Sequence, residues 1–334
     1  MTWTVAAVEP RELAAIALPS SWPPLSAGAW DLHAPDLTLL ARDGATVGAR
    51  CSLWWRDTPP HDGVRVGAIG HYAASDDRAA AHLLDEACRV LSQHCRLAVG
   101  PMDGNTWQKY RFVTEWGTEP PFFMEPTNPD LWPTQFAQAG FGTLAHYFSA
   151  LNTDLSVRDQ RLPELQARFA ERGVTLRAIR MDDFETELRR IYAIAEHAFT
   201  DNVLYTPISF EQFAVQYRAG AAFVVPELVL IAEQDRIPVG FSFSVPDLLE
   251  RQRGEKTRTV ILKTVAALPD RSRFNGLGSL MIDATHEAAR TLGFTRVVHA
   301  LMHESNQSLR ISARTATVMR RYALFAKPLA AATG

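Results

Sequence analysis

The apolar pattern of this chain spells nearly the same order of elements twice. In the first half, a strand at Trp3–Val8 and a helix at Pro10–Ala17 lead, past a Pro/Ser-rich loop at Pro19–Ala27, to strands at Leu37–Ala41, Val47–Trp55 and Val64–Ala73. The Asp43-Gly44 pair between the first two of these is hairpin chemistry, because a tight turn needs backbone with positive φ. A helix at Asp76–Leu91 follows, with Ala80, Leu83, Leu84, Ala87 and Leu91 spaced for one face. A strand at Leu97–Val99, an aperiodic Gly/Pro/aromatic stretch at Gly100–Pro129, a helix at Leu131–Ala139 stopped by Gly140 and a strand at Leu144–Ala150 complete it. The second half repeats the order: strand Val174–Ile179, helices Phe184–Phe199 and Phe210–Tyr217, strands Leu228–Glu233, Val239–Val245 and Thr259–Ala267, helix Leu277–Leu292, strand Val297–Met302, helix Asn306–Thr315 and strand Tyr322–Phe325. Such repetition restricts the chain to similar α/β units related by duplication. The expected division is 1–152, a connecting segment 153–173 carrying the charged helix Pro163–Arg172, and 174–334.

Composition narrows the function. Hydrophobic residues make up 47% of the chain and charged residues 21%, so a core is easily supplied. The net charge of −3 argues against a nucleic-acid surface built on phosphate neutralisation. Cys51, Cys88 and Cys95 form neither a CxxC pair nor an even set, so no disulfide framework or zinc ribbon is expected. The start lacks a basic-then-apolar leader, and no apolar run reaches the ~20 residues of a membrane span. A cytoplasmic protein without a membrane partner is the expectation.

The segment that carries chemistry lies between a β-branched strand and an amphipathic helix: Val265-Ala266-Ala267-Leu268-Pro269, then Arg273-Phe274-Asn275-Gly276-Leu277-Gly278-Ser279. The first turn of a helix offers unpaired N–H groups and partial positive charge. Glycines at 276 and 278 remove side chains where an anion must approach the backbone, and Arg273 adds charge. Neither the GxGxxG pattern of dinucleotide folds nor a Walker loop is present.

This arrangement resembles the GNAT acetyltransferase superfamily, whose signature Arg/Gln-x-x-Gly-x-Gly/Ala follows the fourth strand. The resemblance covers roughly residues 174–326. It implies a mixed, mostly antiparallel sheet flanked by helices in each unit. It also implies that Val265, Ala266 and Ala267 meet the pantetheine arm of acetyl-CoA, the acyl donor, and that Arg273–Ser279 binds its pyrophosphate. Asn306 matches an Asn that contacts CoA after the fifth strand. The family's Tyr beyond that Asn, the usual general acid, has no counterpart, because Ala313 stands there; Tyr322 and Ser312 are the nearest substitutes in sequence. The first half keeps an Asn-to-Gly-Phe cadence from Asn128 to Gly140-Phe141. Its own phosphate loop reads Ser75-Asp76-Asp77-Arg78-Ala79, with carboxylates where an anion would sit. It reads as a degenerate copy that does not bind CoA, and the whole chain resembles a tandem GNAT protein.

For the rest of the mechanism, alternation along Val297–His303 puts His299, Leu301 and His303 on one face. His303 is the first candidate for the base that deprotonates an amine, and Glu304 the second. Tyr205, between the first two helices of the second half, is a candidate for orienting substrate or donating a proton. A His299/His303 metal pair lacks a third ligand, so no metal is expected. The aromatic and basic loop Gly104–Arg111 is a candidate for reaching the acceptor from the first half, and Arg310 and Arg314 for pairing with a CoA phosphate. The expected activity is direct acyl transfer to a small-molecule or peptide amine, without a covalent enzyme intermediate, by a monomer or homodimer. A silent acyl-CoA-binding module and an aminoacyl-tRNA-dependent transferase are the competing readings.

Overall fold

The computed structural model describes residues 2–9, 12–13, 16–25, 27–305, 312 and 314–330. In chain order the first half contains β1 (Thr4–Ala7), α1 (Ala27–His33), β2 (Leu37–Asp43), β3 (Thr46–Trp54), β4 (Val66–Ala74), α2 (Asp77–Ser92), β5 (Leu97–Gly100), β6 (Phe112–Glu115), α3 (Leu131–Gln138) and β7 (Gly142–Asn152). Next come α4 (Leu162–Glu171), β8 (Val174–Ala178), α5 (Phe184–Ala198), α6 (Phe210–Gly220), β9 (Val229–Gln234) and β10 (Ile237–Pro246). The chain closes with α7 (Leu248–Gln252), β11 (Thr259–Ala267), α8 (Arg271–Phe274), α9 (Leu277–Thr291), β12 (Arg296–His303) and β13 (Thr317–Pro328). The local signals behave as their chemistry requires. Gly44 turns the β2–β3 hairpin at φ +59°, and Ser209 and Gln212 form a reciprocal capping box at the start of α6.

Some elements differ from expectation. The aperiodic stretch after Gly100 contains β6, whose ladder partner is β13, so no local pattern announces it. Between the strands expected at Val239–Val245 and Thr259–Ala267 lies α7, a short helix capped by the Asp247 carboxylate. The helix expected at Asn306–Thr315 falls mostly outside the described residues, as does much of that expected at Pro10–Ala17.

All strands join one 13-stranded sheet in the order β1-β2-β3-β4-β5-β13-β7-β12-β11-β10-β9-β8, with β6 also on β13. The order is symmetric about its centre. Each half contributes one parallel pair, β4–β5 and β11–β12, amid antiparallel neighbours. The two final strands are exchanged: β7, from the first half, pairs with β12, and β13, from the second, pairs with β5. These two then pair with each other from Thr317↔Leu151 to Ala326↔Gly142. The sheet therefore runs without a break across the expected connector at 153–173.

Helices cover both flanks of the second half. α5 and α9 pack on β10 and β11, and α4 packs on α9. α9 buries Leu277, Met281, Ile282 and Ala289, and also the polar Asp283, Thr285 and His286, whereas Leu292 is exposed at its end. Cys51, Cys88 and Cys95 are buried free thiols. No helix of the described residues is long and apolar enough to cross a membrane.

Candidate active site

The parallel pairing of β11 with β12 stops at Leu262↔His299. Beyond it the two strands diverge, β11 running on to Ala267 and β12 to His303. Lys263 to Ala267 and His299 to His303 then line the two sides of a cavity of about 1710 Å³. Main-chain groups on the freed edge of β11 have no partner strand, so they can pair with an extended ligand. The divergence is fixed at Leu301, which adopts φ +60° in a bulge of β12. Both main-chain groups of Leu301 are held by side chains of the first half: Ser149 Oγ accepts from its N–H at 3.0 Å, and Arg111 Nη1 donates to its carbonyl at 3.0 Å. The first half thus props the wedge of the second half open.

The inner end of β11 leads into α8 and then α9. Gly276 caps α9 at φ +93° with no side-chain cap, so the amides of Leu277, Gly278 and Ser279 meet no acceptor among the described residues. The two glycines have different reasons. A Cβ on Gly276 would sit 2.8 Å from Leu165 of α4, and its positive φ already demands glycine. A Cβ on Gly278 would meet only Val265, at an ordinary 3.7 Å; it would instead project into the cavity that Gly278 lines. Protein packing therefore permits a side chain at 278, which would take up cavity space.

The structure disperses part of the expected phosphate set. Phe274, Asn275, Gly276, Gly278 and Ser279 line the cavity with Val265, Ala266 and Ala267. Leu277 is fully buried, so it can offer only its amide. Arg273 turns away: its Nη2 donates to Gln234 Oε1 at 2.6 Å, and it lies outside the main cavity because β9 ends beside it. Its place at the mouth is taken by Arg161 and Arg168, on and next to α4, with Arg314 beside them. Arg168 donates to the carbonyl of Asn275, and Arg161 and Arg314 share Asp159. Asn306 and Arg310 lie outside the described residues.

The expected catalytic groups fare unequally. His303 lines the cavity, but its Nδ1 accepts from the Ser305 N–H at 3.1 Å and meets Ser305 Oγ at 2.7 Å. The free ring nitrogen of the neutral form is then Nε2–H, a donor rather than a base. Burial and the nearby Arg111 hold its pKa below the usual range. Glu304 is outside the cavity, its carboxylate 3.5 Å from Arg321. Tyr322 is fully buried between Glu125 and Ser149, and burial pushes its pKa far up, so it touches no substrate space. Tyr205 does line the cavity, beside Trp107. Trp107 reaches across from the first half, its Nε1 donating to Thr206 O at 2.8 Å, and packs edge-on against Phe199 and Phe213. Ser312 lines the cavity and is held at 2.7 Å by His299 Nδ1, whose Nε2 is 2.8 Å from His286 Nε2. Burial pushes His299 and His286 down to about 3 and about 4, so both are neutral.

Of two cations at the wedge, Lys263 had no place in the sequence reading, and Arg111 entered it only as the end of the Gly104–Arg111 loop. Lys263 is the first residue of β11 past the point of divergence, and its Nζ reaches Met124 O at 3.3 Å. Burial and then Arg111 lower its pKa to about 7, with Glu125 opposing. Arg111 sits in the corner formed by the rings of Tyr110 and Tyr147, which are nearly perpendicular, with its guanidinium carbon 3.8 and 3.9 Å from their centroids. Neither residue sits in a motif; only the strand divergence brings them to one place.

No family model matches the sequence, and no curated protein matches it. Solved structures do. A glucosamine N-acetyltransferase region of a fungal multi-domain GH3 beta-N-acetylglucosaminidase aligns over 98% of this chain at TM-score 0.56 and 14% identity, and this chain spans 38% of that protein. A GCN5-related N-acetyltransferase from Sphaerobacter thermophilus aligns over 87% of this chain and 80% of its own, at TM-score 0.50 and 14% identity. A probable N-acyltransferase from Enterococcus faecalis aligns over 99% of this chain and 74% of its own, at TM-score 0.56 and 9% identity. The chain has the GCN5-related N-acetyltransferase fold.

Proposed function

We propose that this protein is an acyl-CoA-dependent N-acyltransferase, with acetyl-CoA the simplest donor. The observation that carries the reading is that the bare amides of α9 and the diverging β11–β12 edge open into one cavity. A helix N-terminus suits a diphosphate, an unpaired strand edge suits the amide groups of a pantetheine arm, and the point of divergence suits a thioester. The volume exceeds that of a single-ligand pocket and accommodates a second substrate.

In this reading the acceptor enters between α5, α6 and the Trp107 loop. Its nitrogen attacks the thioester carbonyl carbon, the C–N bond forms and the C–S bond breaks. Lys263, neutral above about pH 7, takes the proton that the acceptor ammonium must lose. As the intermediate collapses, the second proton of the acceptor nitrogen passes to the departing thiolate through the Ser312 hydroxyl, which gives its own proton to sulfur and takes the one from nitrogen, with neutral His299 orienting it. Most of the acceleration would come from holding the reactants together and polarising the carbonyl with strand N–H groups. The test is calorimetry with CoA followed by thiol release from acetyl-CoA over a panel of amines. Absence of CoA binding sinks the reading; CoA binding without thiol release for any amine would leave a silent acyl-CoA-binding module in its place.

A further inference from the structure

Arg111 is built into the cavity more elaborately than its role at Leu301 requires. The residue is 6% exposed, and its remaining surface faces the cavity. Tyr110 and Tyr147, nearly perpendicular to each other, flank the guanidinium on two adjoining sides and leave its remaining N–H groups for recognition. One of those N–H groups goes to Leu301 O; the others have no acceptor among the described residues. No carboxylate answers the charge. Glu125 is taken by Arg320 and Tyr322, and the groups acting on Arg111 are the tyrosines 147 and 322. The backbone of Arg111 is at φ +70°, a conformation a long side chain adopts at some cost, here fixed by its N–H to Pro101 O at 3.0 Å. A second cation, Lys263, lines the same wall.

We propose that the free N–H edge of Arg111 is a carboxylate-binding subsite at the reaction point, so that one of the substrates carries a carboxylate next to the bond being made. A buried, planar, pre-oriented fork is the geometry that binds carboxylate in a bidentate manner. Trp107, Phe123, Phe199, Tyr217 and Phe243 line the same cavity, so the acceptor class is an amino-acid-like amine with an apolar or aromatic body. The same chemistry would be met by a dicarboxylic acyl group on the donor, and the two sources are separable. The inference rests on the transferase reading above.

The experiment is equilibrium calorimetry on the full chain. CoA alone comes first; its failure to bind sinks the transferase reading, not the subsite. One arm then titrates N-acetyl-phenylalanine and its uncharged amide into the CoA-loaded protein. The other compares succinyl-CoA with acetyl-CoA. In at least one arm the carboxylate form binds about 10- to 100-fold tighter, the range for charge-assisted hydrogen bonds. Arg111→Met removes that preference and Arg111→Lys retains part of it; because Arg111 also holds the Leu301 carbonyl, the readout is the ratio of the two forms within each variant, not the affinity for CoA. Equal binding of both forms in both arms of the wild type, or no binding of either acceptor analogue together with no donor preference, overturns the proposal. So does a preference that survives Arg111→Met. The wild-type comparison decides even if the variants do not fold.

Discussion

The molecule holds two versions of the same wedge, and one of them is closed. In the first half β4 and β5 pair in parallel from Val66↔Leu97 to Ala68↔Val99, as β11 and β12 do in the second, and then part. Here the chain fills its own gap. Met102 N–H donates to Ile69 O at 2.9 Å, and Asp103 accepts from His71 N–H at 2.6 Å. A Cβ on Gly70 would lie 2.3 Å from Met102 O, so the packing admits nothing more. The helix that follows is closed as well. Asp76 caps α2 by accepting from Ala79 N–H at 2.9 Å, Asp77 accepts from Gln135, and Ser75 accepts from Trp22. At the equivalent helix of the second half, Gly276 offers no cap and the amides face a cavity. A side-chain carboxylate in the first half occupies the place that the second half leaves open to the cavity. The closed copy keeps a role: through Ser149, Arg111 and Trp107 it shapes the open one.

This contrast is exposed to several substitutions. The largest effect is expected at Lys263, the first residue of β11 past its last parallel pair with β12. Lys263→Met should lower kcat/KM by about 100- to 10,000-fold, the usual range for a lost general base, without changing CoA affinity. In the wild type the rate should climb as pH rises through about 7, because the depressed lysine is protonated below that value and free to accept a proton above it. Burial lowers this value most, Arg111 lowers it further and Glu125 opposes, and the rise should vanish in the variant. An unchanged profile would remove Lys263 from the mechanism.

Next is Gly278→Glu, which gives α9 a carboxylate like that of α2. CoA affinity measured by calorimetry should fall about 100-fold, or about 2.7 kcal/mol, with the melting temperature nearly unchanged, since protein packing leaves room for a side chain there. Gly276→Ala should do the reverse. Its positive φ and the 2.8 Å approach to Leu165 predict a loss of about 1–3 kcal/mol in stability by chemical denaturation. The smallest effect is expected for Asp76→Ala, about 1 kcal/mol for a lost helix cap. It should create no second CoA site, because Met102 and Asp103 still fill the wedge; two CoA molecules per chain would contradict that account.

Much of this was legible in the sequence. Period and turn chemistry located most strands and helices, since each depends on local geometry alone. The pair Gly276 and Gly278 marked the uncapped start of α9 for the same reason, and Ser75-Asp76-Asp77 marked the capped start of α2. The misreadings all involve side chains whose surroundings come from elsewhere in the chain. Arg273 follows the end of β9, Tyr322 is sealed by Glu125 and Ser149, and Glu304 finds Arg321. Lys263 was invisible because no motif contains it, and Arg111 was reached only as the end of the Gly104–Arg111 loop, without a role of its own.

The sequence by itself determined the order of elements, the glycines at one helix start and the carboxylates at the other, because secondary structure and capping are settled within a few residues. Only the tertiary structure decided that the last strands are exchanged, that β11 and β12 separate after Leu262, and which cations stand at the opening. Those outcomes come from contacts between residues more than a hundred positions apart, such as Arg111 with Leu301 and Ser149 with the same main chain. Local pattern carries no information about such pairs, and the chemistry of this chain is built on them.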